Sequence, residues 1–579
     1  MLILGLSSFK HDTAAALFQD GLITAAVEND KLARAKTTGV PEEAIEFCLS
    51  KAGAGWKDLD AVAVATHASS GFRRRATLRA KTALLSPVAT AFHEANELGT
   101  FARELNQVRM IRRSPGFRAE VFDFDHHLSH AASAFYLSPF DRALVITMDQ
   151  EGDGLSGSIS VGEGTKLRVL QTIPFPNSLA WIYSHVTRLL GFTPHKDEHK
   201  TQWLALEGEP VYRKVFLDML FDSKKSLPCL NRSYVNFAGR LTFSTRFYQA
   251  TGLDEKQPLS DEQRKALASS IQAACTEIVT STVNYYRKAT GIQRVCFAGG
   301  LFQNTLLVAS LEKNLGLNQV FVPAAPGNSG CALGAGLLTW HQSMGKPRVA
   351  LVAQVYGGPS ANRSEIKDVL DNCKARYSLN TTEERKIEAA LQLLEAGKIV
   401  GWFHGAAEFG PRALGNRSVL ASPWAPYVRE NLNDFIKHRE WFRPFALAVP
   451  EEDAGQYFQY SSLCEAMNSL AWAKPGANIL PESFLLPGGM VRLHVVRQRS
   501  NPQFWRLLRK FGERAPAPIL VNTSFNLFGE PLVVKPRDAV RSYFCSGIDA
   551  LIIDNFVLSK SAATQAYVTP VYASARASD

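Results

Sequence analysis

The chain has 579 residues, of which 46% are hydrophobic and 20% are charged, and its basic residues outnumber its acidic residues by 64 − 54 = 10. This length predicts at least two domains with separate cores, and the composition argues against a disordered or fibrous protein. No window approaches ~18 continuous apolar residues, so we expect no membrane span and no signal peptide.

The eight cysteines are scattered and never occur as CxxC, which predicts reduced core residues in a cytoplasmic protein. The basic residues are spread along the chain except for the cluster "GFRRRATLRAK" at residues 71–81. Such a cluster is either a solvated helix face or a patch for nucleic acid or phosphate. The positive charge fits an anionic small substrate as well as it fits RNA.

One pattern occurs twice in the first half of the chain. "LILGLSS" is followed by a polar loop and a hairpin turning at "QDG", and "ALVITMD" is followed by a similar loop and a hairpin turning at "EGTK". Two such copies indicate a duplicated α/β unit, the layout of the actin-like ATPase architecture with two ribonuclease-H-like halves. The acids of the two loops, Asp12 and Asp149, are the predicted catalytic residues of this half.

A helix near Asp261 to Thr290 leads into "RVCFAGGLFQNTLL", which predicts a buried strand, a Gly-Gly turn and a new helix. Gly299 and Gly300 either let backbone N–H groups approach a phosphate or ribose, or allow tight packing. The Gly, Pro and Ser content rises near residues 345–364. We therefore predict two domains, 1–347 and 348–579.

The opening of "DHHLSHAASAFY" places His126 and His130 four residues apart. On a helix they share one face at roughly 6 Å separation and can bind one metal ion. Alternatively, the histidines cap the helix and bond nearby carboxylates such as Asp123 and Asp125.

Five cations are concentrated among glycines, prolines and aromatic residues of the C-terminal half, and they are Arg412, Arg417, Lys437, Arg439 and Arg443. Arginine forks and lysine charges suit phosphate, so the cluster indicates a pocket for a phosphorylated ligand. Alternatively, each arginine satisfies a carboxylate or a loop carbonyl. Asn522, Ser524 and Asn526 project from one side of an extended segment, where they either bond a ligand or cap a turn.

These segments resemble the NodU/CmcH/TobZ family of O-carbamoyltransferases over nearly the whole chain. The resemblance rests on "HDTAAALFQDG", "DHHLSHAASAFYLSPF", "PNSLAWIYSHVTRLLGF", "FAGGLFQN", "EFGPRALGNRSVLASP", "IKHREWFRPFA" and "VNTSFNLFGEP". It implies an N-terminal actin-like ATPase domain, similar to the threonylcarbamoyl transferase of tRNA modification, and a C-terminal YrdC-like α/β domain.

The implied chemistry has two steps. Carbamoyl phosphate and ATP, with Mg²⁺, form carbamoyl-adenylate and pyrophosphate in the C-terminal domain. The N-terminal domain then passes the carbamoyl group to a hydroxyl of a secondary metabolite or sugar-type acceptor. By resemblance, Lys437 and Arg439 are catalytic, and the residues that bind nucleotide or carbamoyl phosphate are Arg412, Arg417, Arg443, Arg492, Asn522, Ser524, Asn526, Gly299, Gly300, Asn304 and Lys200.

The resemblance also implies an iron ion, Fe(II), or another divalent cation on His126 and His130. The third ligand of the family is an aspartate, whereas this chain has Asn328, a weaker ligand. "ENDKLARAKTTG" and "DEHKTQWLALEG" also depart from the family pattern, although Glu28, Glu198 and Lys200 remain. Phe528 stands where an arginine is usual.

The expected partners are therefore carbamoyl phosphate and a small-molecule acceptor, with no nucleic acid and no membrane. A homodimer is the expected oligomer, since dimers are the commonest homo-oligomers. Two alternatives remain open. One is a degenerate copy that serves as a binding or scaffold protein in a biosynthetic pathway, and the other is a tRNA threonylcarbamoylation enzyme.

Overall fold

The two predicted hairpins belong to two equivalent five-stranded sheets. The computed structural model describes residues 1–8, 11–83, 102, 106–236, 242–349, 355–476, 479–527 and 529–560, without the side chains of 78–83. The strands of the first sheet are β1 (Leu2–Ser7), β2 (Ala14–Gln19), β3 (Leu22–Glu28), β4 (Ala61–Val64) and β5 (Glu120–Asp123). The strands that follow are β6 (Arg142–Gly152), β7 (Leu155–Glu163), β8 (Lys166–Pro174), β9 (Phe221–Asp222), β10 (Leu227–Pro228), β11 (Val235–Asn236), β12 (Thr242–Phe243), β13 (Val295–Ala298) and β14 (Val320–Phe321).

The two sheets have the same topology. The first has the order β3-β2-β1-β4-β5 and the second the order β8-β7-β6-β13-β14. In each, an antiparallel hairpin flanks the first strand on one side and two parallel strands follow on the other. The predicted duplication is therefore present, and the actin-like α/β architecture follows from it.

The helices of this part connect and cover the two sheets. They are α1 (Asn29–Ala33), α2 (Glu42–Lys51), α3 (Ala68–Ala83), α4 (His126–Tyr136), α5 (Leu179–Leu189), α6 (Glu198–Leu204), α7 (Arg213–Leu220), α8 (Thr245–Thr251), α9 (Asp261–Thr290), α10 (Thr305–Leu315) and α11 (Gly330–Leu338), and residues 106–112 are also helical. The small-residue helix α11 packs between α4 and β1. A Cβ atom on Gly334 would overlap the carbonyl oxygen of Ser129, so only glycine permits this approach.

The C-terminal part contains one mixed sheet of eight strands. Its strands and those of a small three-stranded sheet are β15 (Ser378–Leu379), β16 (Val400–Phe403), β17 (Arg417–Ala421), β18 (Ala446–Pro450), β19 (Phe458–Gln459), β20 (Ala471–Ala473), β21 (Met490–Val491), β22 (Leu493–Val496), β23 (Leu520–Ser524), β24 (Ala550–Ile553) and β25 (Phe556–Ser559). The eight-stranded order is β15-β25-β24-β16-β17-β23-β18-β22.

Alternate residues of these strands belong to two separate cores. Leu420 and Leu520 lie in one cluster, whereas their neighbours Val419 and Val521 lie in the other. This two-residue period means that helices cover both faces of the sheet. The helices are α12 (Arg363–Asn372), α13 (Glu383–Glu395), α14 (Val428–Asn431), α15 (Glu451–Tyr457), α16 (Pro502–Gly512) and α17 (Pro536–Phe544). The YrdC-like assignment of this sheet stays a prediction.

The chain forms two compact units. Unit 1 comprises Met1–Asn29 and Thr37–Ala353, and unit 2 comprises Asp30–Lys36 and Gln354–Asp579. The predicted domains, 1–347 and 348–579, placed the segment 30–36 in the N-terminal half. It belongs to unit 2 because Lys31 and Arg34 donate hydrogen bonds to backbone carbonyls of that unit.

All eight cysteines are free. Within the described residues, no helix combines the length and the apolar character that a membrane span needs. Phe528 lies outside the described residues.

Candidate functional site

Helix α4 brings two histidines to one buried point in unit 1. It begins at His126, and its N-cap residue Asp125 accepts a hydrogen bond from the backbone N–H of His127 at 3.0 Å. The rings of His126 and His130 are fully buried, with centroids 4.6 Å apart. Their Nε2 atoms lie 3.5 and 3.2 Å from the same oxygen, Oδ2 of Asp149 on β6. The fold thus joins three residues that the sequence singled out separately.

The neighbouring His127 has a structural role. Its Nδ1 atom lies 2.9 Å from Thr147 Oγ1 and its Nε2 atom lies 3.2 Å from the carbonyl oxygen of Leu155. Burial, together with the charges of the other two histidines, lowers the pKa of His127 to about 3. The imidazole is therefore neutral, and both of its nitrogens are already used.

The loop before α11 and the first turn of that helix supply two further groups beside the histidine pair. Asn328 is buried, and its Nδ2 atom lies 3.4 Å from both the Nδ1 atom and the carbonyl oxygen of His11. Its buried Oδ1 atom has no hydrogen-bond partner among the described residues. One ligand atom each of His126, His130 and Cys331 lies within 4.8 Å of the others. The cysteine that was predicted as a plain core residue therefore adjoins the site.

Charge and burial set the protonation of this cluster. Burial raises the pKa of Asp149, but its hydrogen bonds with His126 and His130 outweigh burial and hold the pKa well below 3.8. Burial lowers the pKa of His130. For His126, the effect of burial is smaller than that of the surrounding carboxylates, so its pKa is raised. The carboxylate thus stays ionised, and the His130 imidazole stays neutral and able to bind a metal ion.

Asp12 lies in the corresponding loop of the first sheet, between β1 and β2. Its backbone has φ of 55°, and its Oδ2 atom lies 3.1 Å from His11 Nδ1. Since Asn328 contacts the same histidine, the β1–β2 loop adjoins the loop before α11. Asp12 is therefore in a loop that contacts Asn328 through His11, whereas Asp149 lies on β6 beside the histidine pair.

The Gly-Gly turn packs tightly against β6. Gly299 has φ of +104°, and a Cβ atom there would overlap the carbonyl oxygen of Met148. A Cβ atom on Gly300 would lie 2.8 Å from Asp149 Oδ1. Packing alone therefore requires a glycine at position 299, whereas a Cβ atom at position 300 would meet only the end of the Asp149 side chain. The contact of both glycines with a nucleotide stays a prediction.

Two other predicted ligand residues of unit 1 have local partners. Asn304 caps α10 by accepting a hydrogen bond from Leu307 N at 3.0 Å, and it donates to Gln272 Oε1 at 2.7 Å. The Nζ atom of Lys200 lies 3.3 Å from Asp197 Oδ2. These contacts are sufficient structural reasons for both residues, and their ligand contacts stay predictions.

Unit 2 gathers five cations that repel one another. Each of these cations either lowers the pKa of another or has its own pKa lowered by one. They are Arg412, Lys437, Arg439, Arg443 and Arg492. Burial and then the neighbouring positive charges lower the pKa of Arg412 to about 10. The same two causes lower the pKa values of Lys437, Arg439 and Arg492 well below their usual range. Glu440 lies 3.8 Å from Arg443 of this cluster. Such a concentration of positive charge, buried at Lys437 and partly exposed at the arginines, suits a polyanion.

Lys437 connects this cluster to the end of β23. Its Nζ atom donates to the carbonyl oxygen of Ser524, and to Asn526 at its carbonyl oxygen (3.1 Å) and Oδ1 (3.0 Å). Ser524 Oγ in turn donates to Asn526 Oδ1 at 2.7 Å. The fold thus brings together the two short motifs Lys437-x-Arg439 and Ser524-x-Asn526, and their binding of nucleotide or carbamoyl phosphate stays a prediction.

Arg417 stands apart from the five cations. Its guanidinium donates to the carbonyl oxygens of His404, Pro359, Gly405 and Asn416 at 2.7 to 3.0 Å. It is fully buried and lies 3.7 Å from the centre of the Phe403 ring. The loop-carbonyl alternative therefore describes Arg417, whereas Arg412 of the same loop belongs to the cation cluster.

Asn522 also faces protein groups. Its Nδ2 atom lies 3.1 Å from the carbonyl oxygen of Ala413 and 3.0 Å from His494 Nδ1. Its Oδ1 atom is buried without a hydrogen-bond partner in the described part of the chain. The amide therefore supports the loop that carries Arg412 and keeps one acceptor unused.

Comparison with known proteins identifies the chain. Residues 2–337 match the family described as "Carbamoyltransferase N-terminus", and residues 391–560 match "Carbamoyltransferase C-terminus". The chain belongs to the carbamoyltransferase family. It is therefore a transferase enzyme, as the sequence predicted.

Named relatives of this carbamoyltransferase include nodulation proteins and an antibiotic-modifying enzyme. It is 31% identical to nodulation protein NolNO of Sinorhizobium fredii, over 96% of this chain and 80% of that protein. It is 31% identical to the 3'-hydroxymethylcephem-O-carbamoyltransferase of Amycolatopsis lactamdurans, over 42% of this chain and 45% of that enzyme. An uncharacterized protein of Synechocystis is 32% identical over 97% of both chains.

Solved structures match more distantly. The HypF protein of T. kodakarensis is 13% identical with a TM-score of 0.33, over 58% of this chain and 46% of that chain. The actin-like assignment of the carbamoyltransferase rests instead on its strand order.

The sequence missed a buried glutamate of the carbamoyltransferase. Glu408 Oε1 accepts hydrogen bonds from the backbone N–H groups of Leu414, Asn416 and Arg417 at 2.8, 2.9 and 3.1 Å. The available signal was an acid at the start of the Gly-rich segment "EFGPRALGNRS". The structure buries this side chain fully. Its carboxylate shapes the loop that presents Arg412.

The sequence also left open the role of the basic cluster at residues 71–81. Two of its arginines on α3 are paired. Arg74 bonds Asp125 Oδ2, and Arg75 lies 3.5 Å from Glu151 Oε1. Arg74 and Arg75 of the carbamoyltransferase therefore do not belong to a freely solvated helix face. They support the β6–β7 turn near the histidine pair.

Proposed function

We propose that this carbamoyltransferase forms carbamoyl-adenylate from carbamoyl phosphate and ATP, and transfers the carbamoyl group to a hydroxyl of a small-molecule acceptor of the secondary metabolite or sugar type. The first step belongs to unit 2, working as a YrdC-like domain, and the second to unit 1. The cation cluster of unit 2 supports the proposal, because five cations that lower one another's pKa favour an anionic ligand of high charge.

The first step divides into two bond changes. Water cleaves carbamoyl phosphate to inorganic phosphate and carbamate. A carbamate oxygen then bonds to the α-phosphorus of ATP, and the bond from that phosphorus to pyrophosphate breaks. Negative charge collects on the pyrophosphate oxygens, where Arg412, Arg443 and Arg492 stabilise it electrostatically. Mg²⁺ accompanies the nucleotide.

Lys437 and Arg439 position the reacting groups. Lys437 donates hydrogen bonds to neutral oxygens of Ser524 and Asn526, so its positive charge stays available to phosphate oxygens. Arg439 is oriented by Asn433 Oδ1 at 2.9 Å and lies over the Phe445 ring. Fixed donors of this kind need no reorganisation when charge develops.

In the second step, the acceptor oxygen bonds to the carbamoyl carbon and AMP leaves with its oxygen. His126 and His130 would hold a divalent cation, iron(II) by the resemblance, which when bound acts as a Lewis acid. The buried Oδ1 atom of Asn328, which has no hydrogen-bond partner within the described part of the chain, fits such an ion. Asp12, whose side chain is partly exposed, is the residue that we propose to take the hydroxyl proton.

Pyrophosphate release without an acceptor tests the first step. The wild type is expected to release pyrophosphate from ATP only when carbamoyl phosphate is present, and Lys437→Ala is expected to lose at least ~90% of that rate, about 1.4 kcal/mol. Lys386→Met is the matched control, because Lys386 is also a buried lysine of unit 2 but bonds Gln503. Full release by Lys437→Ala would contradict the proposed role.

Acceptor-dependent incorporation of labelled carbamoyl phosphate tests the second step. Incorporation into hydroxyl compounds is expected with the wild type and not with Asp12→Asn, whose pyrophosphate release stays intact. A wild type that binds ATP but releases no pyrophosphate would instead support the scaffold alternative.

A further inference from the structure

Arg34 lies in the segment Asp30–Lys36, which follows β3 in the chain but belongs to unit 2. Its backbone has φ of 58°, so the chain turns in the left-handed conformation just after α1 ends at Ala33. The side chain is 17% exposed. Its Nη1 atom donates hydrogen bonds to the carbonyl oxygens of Pro531 and Leu532, both at 2.8 Å. One guanidinium group therefore holds two consecutive carbonyls.

Two carboxylates balance the positive charge of Arg34. Its Nη2 atom donates to Glu530 Oε2 at 3.1 Å, and its Nε atom lies 3.7 Å from Asp538 Oδ1. Arg541 bonds the other carboxylate oxygen of Glu530 at 2.5 Å, but its side chain is 61% exposed. A charge compensated in this way attracts phosphate less than the five cations do. The contacts of Arg34 therefore indicate a positioning role rather than a ligand role.

The residues that Arg34 holds are bonded to the end of β23. Asn526 Nδ2 donates to the carbonyl oxygen of Glu530 at 2.8 Å. Val533 N donates to the carbonyl oxygen of Phe525 at 3.0 Å. These two hydrogen bonds attach both ends of the segment 530–533 to the motif that contains Asn526.

The bond to Glu530 sets the direction of the Asn526 amide. With Nδ2 on that carbonyl, Oδ1 accepts hydrogen bonds from Lys437 Nζ at 3.0 Å and from Ser524 Oγ at 2.7 Å. A rotated amide would present its NH₂ group to the ammonium group, where two donors would meet. The place of the Lys437 charge therefore depends on a carbonyl of the segment that Arg34 holds.

We propose that Arg34 is a positioning residue for the anion site of unit 2, and that it acts through Asn526 on Lys437. The planar fork of arginine bonds two carbonyls and a carboxylate at once, which a lysine cannot do. The inference rests on the proposed function, because adenylate formation needs the charge of Lys437 at this site. Its test measures anion binding, so the role of Arg34 is decided separately from turnover.

Calorimetric titration of the full chain with pyrophosphate tests the proposal. Arg34→Gly keeps the left-handed backbone without strain, and it is expected to weaken pyrophosphate binding at least ~10-fold. Millimolar guanidinium chloride is expected to restore most of the affinity, since the ion fits the space that the side chain leaves, whereas sodium chloride is not. General unfolding would not be reversed by a denaturing cation. Arg541→Ala is the matched control, and its expected change is less than about 2-fold because this partner of Glu530 is exposed.

A double variant tests the route through Asn526. Asn526→Ala is expected to weaken pyrophosphate binding, and adding Arg34→Gly to it is expected to cause less than about 2-fold further loss, because the contact through which Arg34 acts is already absent. Full multiplication of the two losses would overturn this route.

Arg34→Lys gives a second variant that keeps the charge and most of the packing, with an expected loss of about 3-fold. Wild-type affinity in both Arg34 variants, no rescue by guanidinium, or a wild type that binds no pyrophosphate would overturn the proposal. A wild type that binds pyrophosphate but never releases it from ATP would contradict the proposed function, and the titrations would still decide the role of Arg34.

Discussion

The ammonium group of Lys31 donates a hydrogen bond at 2.7 Å to the carbonyl oxygen of Glu408, 377 residues along the chain. It donates a second to the carbonyl of Gly410 at 2.8 Å. The carboxylate of the same Glu408 holds three N–H groups between Leu414 and Arg417. Both ends of the loop that carries Arg412 are therefore held by a buried charged residue, Lys31 at one end and Glu408 at the other.

Lys31→Met is expected to raise the KM for carbamoyl phosphate in pyrophosphate release by roughly 10-fold, with a smaller effect on kcat. The methionine fills the space but releases two carbonyls, and a hydrogen bond to a charged group contributes about 1.5–3 kcal/mol. Steady-state kinetics measure the effect. Lys36→Met is the control, because Lys36 pairs with Asp30 on the surface. Equal KM values in the two variants would show that Lys31 does not position the loop.

Glu408→Gln is expected to lower the free energy of unfolding by about 2 kcal/mol, since the glutamine oxygen accepts the same N–H groups without the negative charge. Urea denaturation measures the change. Glu388→Gln, on an exposed pair with Arg514, is expected to change stability by less than about 1 kcal/mol. Similar losses in both variants would contradict a special role for Glu408.

Arg412→Met and Arg417→Met are expected to have opposite effects. Removing Arg412 relieves repulsion within the cation cluster, so stability rises by about 1 kcal/mol while pyrophosphate release falls at least ~10-fold. Removing Arg417 leaves its loop carbonyls without donors, so stability falls by about 3 kcal/mol. Denaturation and pyrophosphate assays of both variants check this. Loss of stability in Arg412→Met would place it with Arg417 as a structural residue.

The free energy of unfolding is expected to decrease at acid pH because of His494. Burial lowers the pKa of His494 to about 3, from 6.5, and its Nδ1 accepts a hydrogen bond from Asn522. Between pH 6.5 and pH 3 the unfolded chain binds a proton that the folded chain does not, so stability decreases as pH falls through this window. The decrease from pH 7 to pH 4.5 is about 3 kcal/mol for this group.

His494→Phe removes this contribution. Urea denaturation at pH 7 and pH 4.5 is expected to show a smaller acid loss in the variant than in the wild type. The phenylalanine also leaves Asn522 Nδ2 with Ala413 as its acceptor, so the variant is less stable at pH 7. An unchanged difference between the two pH values would mean that His494 is not the acid-sensitive group.

The sequence predicted the bounds of a helix where capping residues mark its two ends. The long helix was expected near Asp261 to Thr290, and α9 has these bounds. It begins at a capping box of Ser260 and Gln263, and it ends at Gly291 in the left-handed conformation. These signals act over a few residues, so they are readable without knowledge of the fold.

Side-chain roles that depend on distant contacts could not be read in the same way. The i,i+4 spacing predicted that His126 and His130 share a face, because helix geometry alone decides it. The sequence did not join Asp149 to them, because only the packing of α4 on β6 brings its carboxylate within 3.5 Å. The sequence also did not show that Arg412 and Arg417 have different roles, because they occur five residues apart in one motif.

The sequence by itself determined that this chain is a carbamoyltransferase with a duplicated α/β half, because strand order follows hairpin and helix signals and the family motifs are long and specific. The tertiary structure decided which charged groups meet. It assigned Arg417 to loop carbonyls, collected five other cations, and directed Asp149 at the histidines. Electrostatic energy depends on distance and burial, and these are set by residues far apart in the chain.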